Sequence, residues 1–322
     1  MLDNRPLDFP CRNFNAYLNS IFFRPSVANA LTQFILEFGN SPEKQTMQKH
    51  SSHSFRLDVA HYLLCYFRNL IGAMIVYYGT ALAFHYGCYV SPLAAQVFEG
   101  QGRTRPTWTV MLDQIRLAQS SMMLYVLLPC VDEYLIEAGY TQVYYTIAEI
   151  GGWPSYVAYM LLYFTLVEIG IYWMHRTLHT NKWMYKHIHQ LHHKYNKPET
   201  LTPWASIAFH PLDGILQASP YVAVLPLVPC HYLTHFGLLF FTAIWATYIH
   251  DAMDWNVWHI MGSKYHTVHH THYIYNYGQV FTFCDRFWGT FYEPTGPTGV
   301  TKSNGERVKP NLSGRVGGKK KE

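Results

Sequence analysis

Charge is scarce in this chain: only 14% of its 322 residues are Asp, Glu, Lys or Arg, against about 25% in ordinary soluble domains. The shortage is uneven. Residues 69–98 carry no formal charge, and neither do the 37 residues between Asp213 and Asp251. Cysteine pairing is missing as well. Cys11, Cys65, Cys88, Cys130, Cys230 and Cys284 are scattered with no C-x-x-C pair, which argues against a thiolate zinc site or a disulfide scaffold. Most of these thiols sit in apolar surroundings, where a buried free cysteine is the ordinary reading. No basic stripe of the kind nucleic acid needs is visible: the net charge is +4, and Lys319, Lys320 and Lys321 at the terminus supply three of it. The first residues show no basic-then-apolar leader with a small-residue cleavage site, and no internal repeat or low-complexity tract stands out.

What remains is apolar and aromatic: 49% hydrophobic residues and 17% Phe, Trp and Tyr. Yet the mean hydropathy of −0.06 is too low for a chain that is mostly lipid-facing. Together these point to a membrane protein with a sizeable polar part outside the bilayer.

The uncharged runs locate the spans. Thirty residues of helix exceed the roughly 30 Å hydrocarbon core, so residues 69–90 are a first span. Residues 118–136 are a second, with Pro129 inside it as a kink or stop. Asp132, Glu133 and Glu137 at its end are expected in water. Gly151, Gly152 and Pro154 mark a break before a third span, 155–174, which is apolar except for Glu168. An intramembrane carboxylate is a functional candidate; its plainer reading is a hydrogen-bonded group of the bundle. The 37-residue run would be about 55 Å long as one helix, nearly twice the core thickness. It must fold back, with Pro226 and Pro229 as the turn, into a hairpin over 214–250 whose ends carry His210 and His250.

The expected fold is all-α: an integral membrane helical bundle of about four spans, including one helical hairpin, under a cytosolic histidine-rich helical cap. Residues 1–55 form a cytosolic lead-in, 56–295 the membrane domain and 296–322 a basic tail. Arg176, Lys182, Lys186, Lys194 and Lys197 flank the histidine clusters, which places that face in the cytosol. Lys319 and Lys320 have the form of a dilysine retrieval signal of the endoplasmic reticulum.

Histidine is the anomaly. Fifteen of the nineteen fall between 175 and 272. His175-x-x-x-His179, His189-x-x-His192-His193 and His266-x-x-His269-His270 have spacings that put each set on one helical face. With His250 they make nine imidazoles. Four ligands saturate one zinc ion, so nine point to two metals. Imidazole suits iron, copper, nickel and zinc alike, and spacing does not choose among them. A dimetal site at a membrane surface suits oxidation of an apolar substrate by dioxygen. Singly placed His85, His231, His235, His259 and His272 read as interfacial or core hydrogen-bonded side chains, His187 as a surface or supporting one. A histidine-rich metal transporter would place its ligands near the bilayer midplane on broken helices; here the clusters follow the spans.

The three boxes, with TPWASIAFHPLDGILQ and YHTVHHTHYIYNYGQVFTFCDRFWGTFYEP, resemble the fatty acid hydroxylase/sterol desaturase superfamily. Within it the chain is similar to the sterol C-5(6)-desaturases (lathosterol oxidases) of the plant type. The resemblance covers roughly 60–295 and is strongest across 170–292. It implies an endoplasmic-reticulum enzyme with two non-haem iron ions that introduces the C5–C6 double bond into a Δ7-sterol. Dioxygen and electrons from NAD(P)H, delivered by cytochrome b5 and its reductase, are the implied co-reactants. It also implies that His175, His179, His189, His192, His193, His250, His266, His269 and His270 hold the irons. Ile207 departs from fungal relatives, which carry a histidine there. Asp213, Asp251, Asp254, Asp285 and His210 are candidates to orient ligand rings through their outward N–H groups, and Thr202 is a candidate contact for the sterol hydroxyl. Sterol C-4 methyl oxidation and fatty-acyl hydroxylation are the rival oxidations on the same scaffold, and the NYGQ and HPLDG segments favour C-5 desaturation.

Overall fold

A computed structural model describes residues 59–92, 104–197, 199–251 and 259–293. The lead-in 1–55, Asp254 and the tail with Lys319 and Lys320 lie outside the described residues. Among the described residues, the elements are α1 (Val59–His85, continued by a π-helical turn Tyr86–Val90), α2 (Trp108–Tyr125), α3 (Leu127–Glu137), β1 (Val143–Tyr144), α4 (Trp153–Thr180), α5 (Pro211–Val224), β2 (Cys230–His231), α6 (Tyr232–Ile249), α7 (Ser263–His272) and α8 (Phe283–Trp288).

Among the described residues, three helical segments are long and apolar enough to cross a membrane: Val59–Val90, Trp153–Thr180 and Tyr232–Ile249. Their outward faces are apolar, with Ile75, Leu82, Leu161, Leu233 and Phe240 exposed. Water would oppose such faces and lipid accepts them.

The expected second span is not one helix. The chain breaks at Val126, between α2 and α3. Pro129 has no N–H to donate to the Tyr125 carbonyl, so the ladder of α2 cannot run on. The hairpin differs too. Its first arm begins at Pro211 and has 14 residues, about 21 Å, which is short of the bilayer core. Pro220 lies inside that arm, and the turn comes after Val224.

The described residues form two compact units. In the first, residues 59–74 pack with residues 126–141. Asp132, Glu133 and Glu137, expected in water, are buried instead. Glu133 pairs with Arg68, while Glu137 accepts from His61 at 3.0 Å and from the Tyr62 hydroxyl at 2.9 Å. Burial of such groups is tolerable only with partners of this kind, and those partners come from α1, 65–76 residues away in sequence.

The second unit, residues 75–125 and 142 onward, carries the histidines. Its axis is α4. Gly151 (φ 85°) and Gly152 (φ 103°) turn the chain into it, and Pro154 occupies its first turn, where a missing N–H costs nothing. At 28 residues α4 is about 42 Å long, roughly 12 Å more than the hydrocarbon core. Helix α5 packs closely on α4 at Gly170, where a Cβ would lie 2.7 Å from Pro220. Tyr163 of α4 joins both hairpin arms: its hydroxyl donates to the Tyr221 carbonyl at 2.9 Å and lies 2.8 Å from His235 Nδ1. The parallel pairing of β1 with β2 (Val143 with Cys230, Tyr144 with His231) secures the hairpin's turn.

Candidate metal centre

The nine histidines singled out by spacing come together in two groups. His175, His179, His189, His193 and His269 form one, and His192, His250, His266 and His270 the other; within each, the ligand atoms lie within 4.8 Å of one another. The groups adjoin, with the His193 and His270 rings stacked at 4.5 Å and those of His189 and His192 5.5 Å apart.

The boxes do not map one to one onto the groups. Both histidines of α4 enter the five-histidine group. His189 and His193 join them, but His192 crosses to the other. In α7, His266 and His270 enter the four-histidine group and His269 crosses to the first. On a helix of about 100° per residue, positions i and i+4 point only ~40° apart, whereas i+3 and i+4 diverge by ~100°. The H-x-x-H-H box of α7 therefore offers an i, i+4 pair to one group and its middle histidine to the other, and the second box divides in the same way. The second box is not a regular α-helix: Tyr185–His189 is a π-helical turn and His192–Lys194 a 3-10 turn.

The donors fit metal ions. Nε2 of His189 lies 2.9 Å from Nε2 of His179 and 3.1 Å from Nε2 of His193. Nε2 of His266 lies 3.1 Å from those of His250 and His270. Imidazole nitrogens about 2.1 Å from one ion and at right angles to each other would be about 3.0 Å apart. Without a cation, one ring of each pair would have to carry its proton on Nε2 and donate to the other. Nδ1–H of His175 donates to the Tyr277 carbonyl at 3.0 Å and Nδ1–H of His269 to that of Tyr275 at 2.8 Å. This leaves the buried Nε2 of each without a hydrogen-bond partner, as a lone pair offered to the group. Burial first, then the neighbouring imidazoles, hold His192, His193, His266, His269 and His270 well below the usual histidine range. Burial lowers His250 to about 4. All are thus neutral near pH 7, the form that binds metal.

The supporting candidates fare unequally. Asp213 is fully buried, and Nδ1–H of His189 donates to its Oδ2 at 2.7 Å. Replacing Asp213 with alanine is expected to weaken metal retention about 10- to 100-fold, read as metal content after timed exposure to a chelator; undiminished retention would remove Asp213 from this role. Among the described residues, Asp285 makes no hydrogen bond to a histidine ring. Burial raises its carboxyl to about 6, and it accepts the backbone N–H groups of Tyr277 and Gly278, each at 2.8 Å. Asp251 is buried in the turn beside His250. His210 is a helix cap, its Nδ1 accepting from Leu212 N–H at 3.2 Å. Thr202 has no exposed surface; its hydroxyl donates to Gln114 at 2.5 Å and accepts from Trp204 N–H at 3.2 Å. It fastens the 202–204 turn to α2 instead of presenting a free hydroxyl.

Three histidines outside the groups have ordinary surroundings. Nε2 of His231 lies 2.9 Å from the Tyr145 carbonyl, His272 meets the Val268 carbonyl, and His187 is exposed beside Trp183. Sequence spacing missed the role of the Tyr273–Phe281 segment, whose backbone carbonyls orient two of the rings. Only the motif NYGQ hinted at it.

The fatty acid hydroxylase family model matches residues 160–290. The chain is 44% identical over 234 residues to the Arabidopsis thaliana protein named putative Delta(7)-sterol-C5(6)-desaturase 2, covering 73% of this chain and 82% of that one. It is 43% identical over 234 residues to the Delta(7)-sterol-C5(6)-desaturase of Nicotiana tabacum, covering 73% and 85%. It is 33% identical over 257 residues to the lathosterol oxidase of Rattus norvegicus, covering 76% and 81%. No solved structure matches the chain. Its histidine boxes, membrane-length helices and relatives agree: the chain belongs to the sterol C5(6)-desaturase family, within the fatty acid hydroxylases.

Proposed function

We propose that this membrane oxidoreductase is a Δ7-sterol C5(6)-desaturase with two iron ions, one in each histidine group. The observation that carries the metal assignment is the convergence of nine imidazoles, eight of them buried, from four stretches of chain into two adjoining groups. The 43–44% identity to plant Δ7-sterol desaturases supports the substrate and bond. Bound there, iron would supply the reductive activation of dioxygen. The balance is simple: the sterol loses one hydrogen each from C5 and C6, and dioxygen takes up these, two electrons and two protons to leave as two waters. The electrons come from NAD(P)H through cytochrome b5 and its reductase.

The chain's own part in this is positional. His189 keeps its proton on Nδ1, toward Asp213, and His175 and His269 keep theirs toward backbone carbonyls. Their Nε2 atoms are therefore free to hold metal. Neutral imidazoles add no negative charge to the site, so ferrous ions held there would keep their full positive charge. The apolar flanks of α4 and α6 fit entry of the sterol from the bilayer. The groups lie on the cytosolic face of the endoplasmic reticulum membrane, with Lys319 and Lys320 as retrieval signal; the flanking lysines support that side. Asp213 supports the ligand shell through His189, and Asp285 through the Tyr277 and Gly278 backbone; Asp251, beside His250, is assigned a supporting role.

Expression in cells lacking this desaturase, followed by sterol analysis, tests the proposal. Conversion of the Δ7-sterol to a Δ5,7-sterol is expected. Well-expressed protein with Δ7-sterol accumulating unchanged would refute it.

A further inference from the structure

We propose that Glu168 is a positioning residue for the five-histidine group, acting at a distance by strapping the Tyr275–Phe281 segment along α4. This deepens, and rests on, the two-metal reading above.

Glu168 is a buried carboxylate in a membrane-length helix, 2% exposed, where an ionisable group is expensive. Its Oε2 accepts two backbone N–H groups, from Val280 and Phe281, each at 3.1 Å. His175 lies seven residues further on. Seven residues return a helix to within ~20° of the same face, about 10.5 Å along its axis. From that face His175 Nδ1–H reaches the Tyr277 carbonyl. Tyr277 and Val280 are three residues apart, which spans about 10 Å of extended chain. The spacing on the helix thus matches the spacing on the segment. The two attachments lay the segment antiparallel along α4 and set its register.

That register matters because the segment's carbonyls orient ligands on two different helices. Tyr277 receives His175 from α4, and Tyr275 receives His269 from α7. Asp285 holds the same backbone from the other side through Tyr277 and Gly278 N–H. Without Glu168 the Val280 end is loose, and the carbonyls no longer dictate which nitrogen of His175 and His269 carries the proton. No ligand of the four-histidine group leans on this segment among the described hydrogen bonds: His250 Nδ1–H donates within its own helix, to the Ala246 carbonyl at 2.6 Å. The effect should therefore be selective.

The test is a cobalt(II) titration of the full chain, purified without metal in lipid nanodiscs and read by visible absorption. Wild type should take up two equivalents. Glu168→Leu should bind one of them about 10- to 100-fold more weakly, the surviving band being the one lost in His250→Ala. Both hydrogen bonds use a single oxygen, so Glu168→Gln should stay close to wild type. Glu168→Asp keeps the charge on an arm one methylene shorter, and it should show the same selective weakening if the leucine variant does not accumulate. Wild-type titration by the leucine or aspartate variant overturns the inference. So does equal weakening of both equivalents with a lowered unfolding temperature, since Glu168 would then merely support the fold. A wild type that binds no cobalt would instead sink the metal reading itself.

Discussion

His269→Ala is expected to abolish desaturation, leaving product more than about 100-fold below wild type while the protein stays in the membrane. His269 is fully buried. Its ring lies 4.4 Å from that of His175, 4.7 Å from His179 and 4.9 Å from His193. Alanine removes one of five donors and opens a void that the other rings cannot close without leaving their own hydrogen bonds. Outer groups that merely orient ligands are worth 10- to 100-fold, so a donor itself should exceed that. Metal analysis adds the sharper expectation: His269→Ala and His266→Ala, neighbours on one helix, should each lose a different one of two ions. Loss of the same ion by both, or activity above a tenth of wild type in either, would break the two-group reading.

A single methyl group at position 278 should do nearly as much. A Cβ on Gly278 would sit 2.3 Å from the Phe281 carbonyl oxygen, 3.0 Å from Asp285 Oδ2 and 3.3 Å from the Met261 methyl. The first contact is with backbone, which cannot rotate aside as a side chain would. Relief requires the segment to shift, and with it the carbonyls of Tyr275 and Tyr277. Gly278→Ala is therefore expected to lower Δ5,7-sterol formation more than tenfold and to loosen metal in the five-histidine group. Gly237→Ala is the control: nothing lies within 4 Å of a Cβ there, and alanine is the better helix former. Equal activity of the two variants would show that the segment tolerates movement.

The nine histidines were legible as a set because spacing on a helix survives without knowledge of the fold. His179 and His189 are ten residues apart and touch at 2.9 Å; the boxes on either side of residue 180 had to meet if the chain turned there. The buried acids were misread for the opposite reason. Asp132, Glu133 and Glu137 follow a proline near a helix end, the usual mark of a solvated terminus. What buries them is α1, and pairing with Arg68 and His61 depends on contacts that no local window contains. His210 and Thr202 drew attention as polar residues beside a motif, yet both satisfy backbone groups of their own turns. Asp285 was noticed for its nearness to a box, but it acts on backbone amides and not on a ring.

By itself the sequence established the material: membrane-length helices and eight imidazoles at helical spacing, with His250 added from the end of the hairpin, because composition and period are local properties. The partition of those imidazoles into five and four belonged to the tertiary structure alone. An i, i+4 pair and the residue between diverge on any helix, and only the placement of α4, α7 and the end of α6 around one point decides which group each joins. The same holds for Glu168 and the Tyr275–Phe281 segment. A carboxylate's role follows from which N–H groups face it, and those lie 112 and 113 residues away.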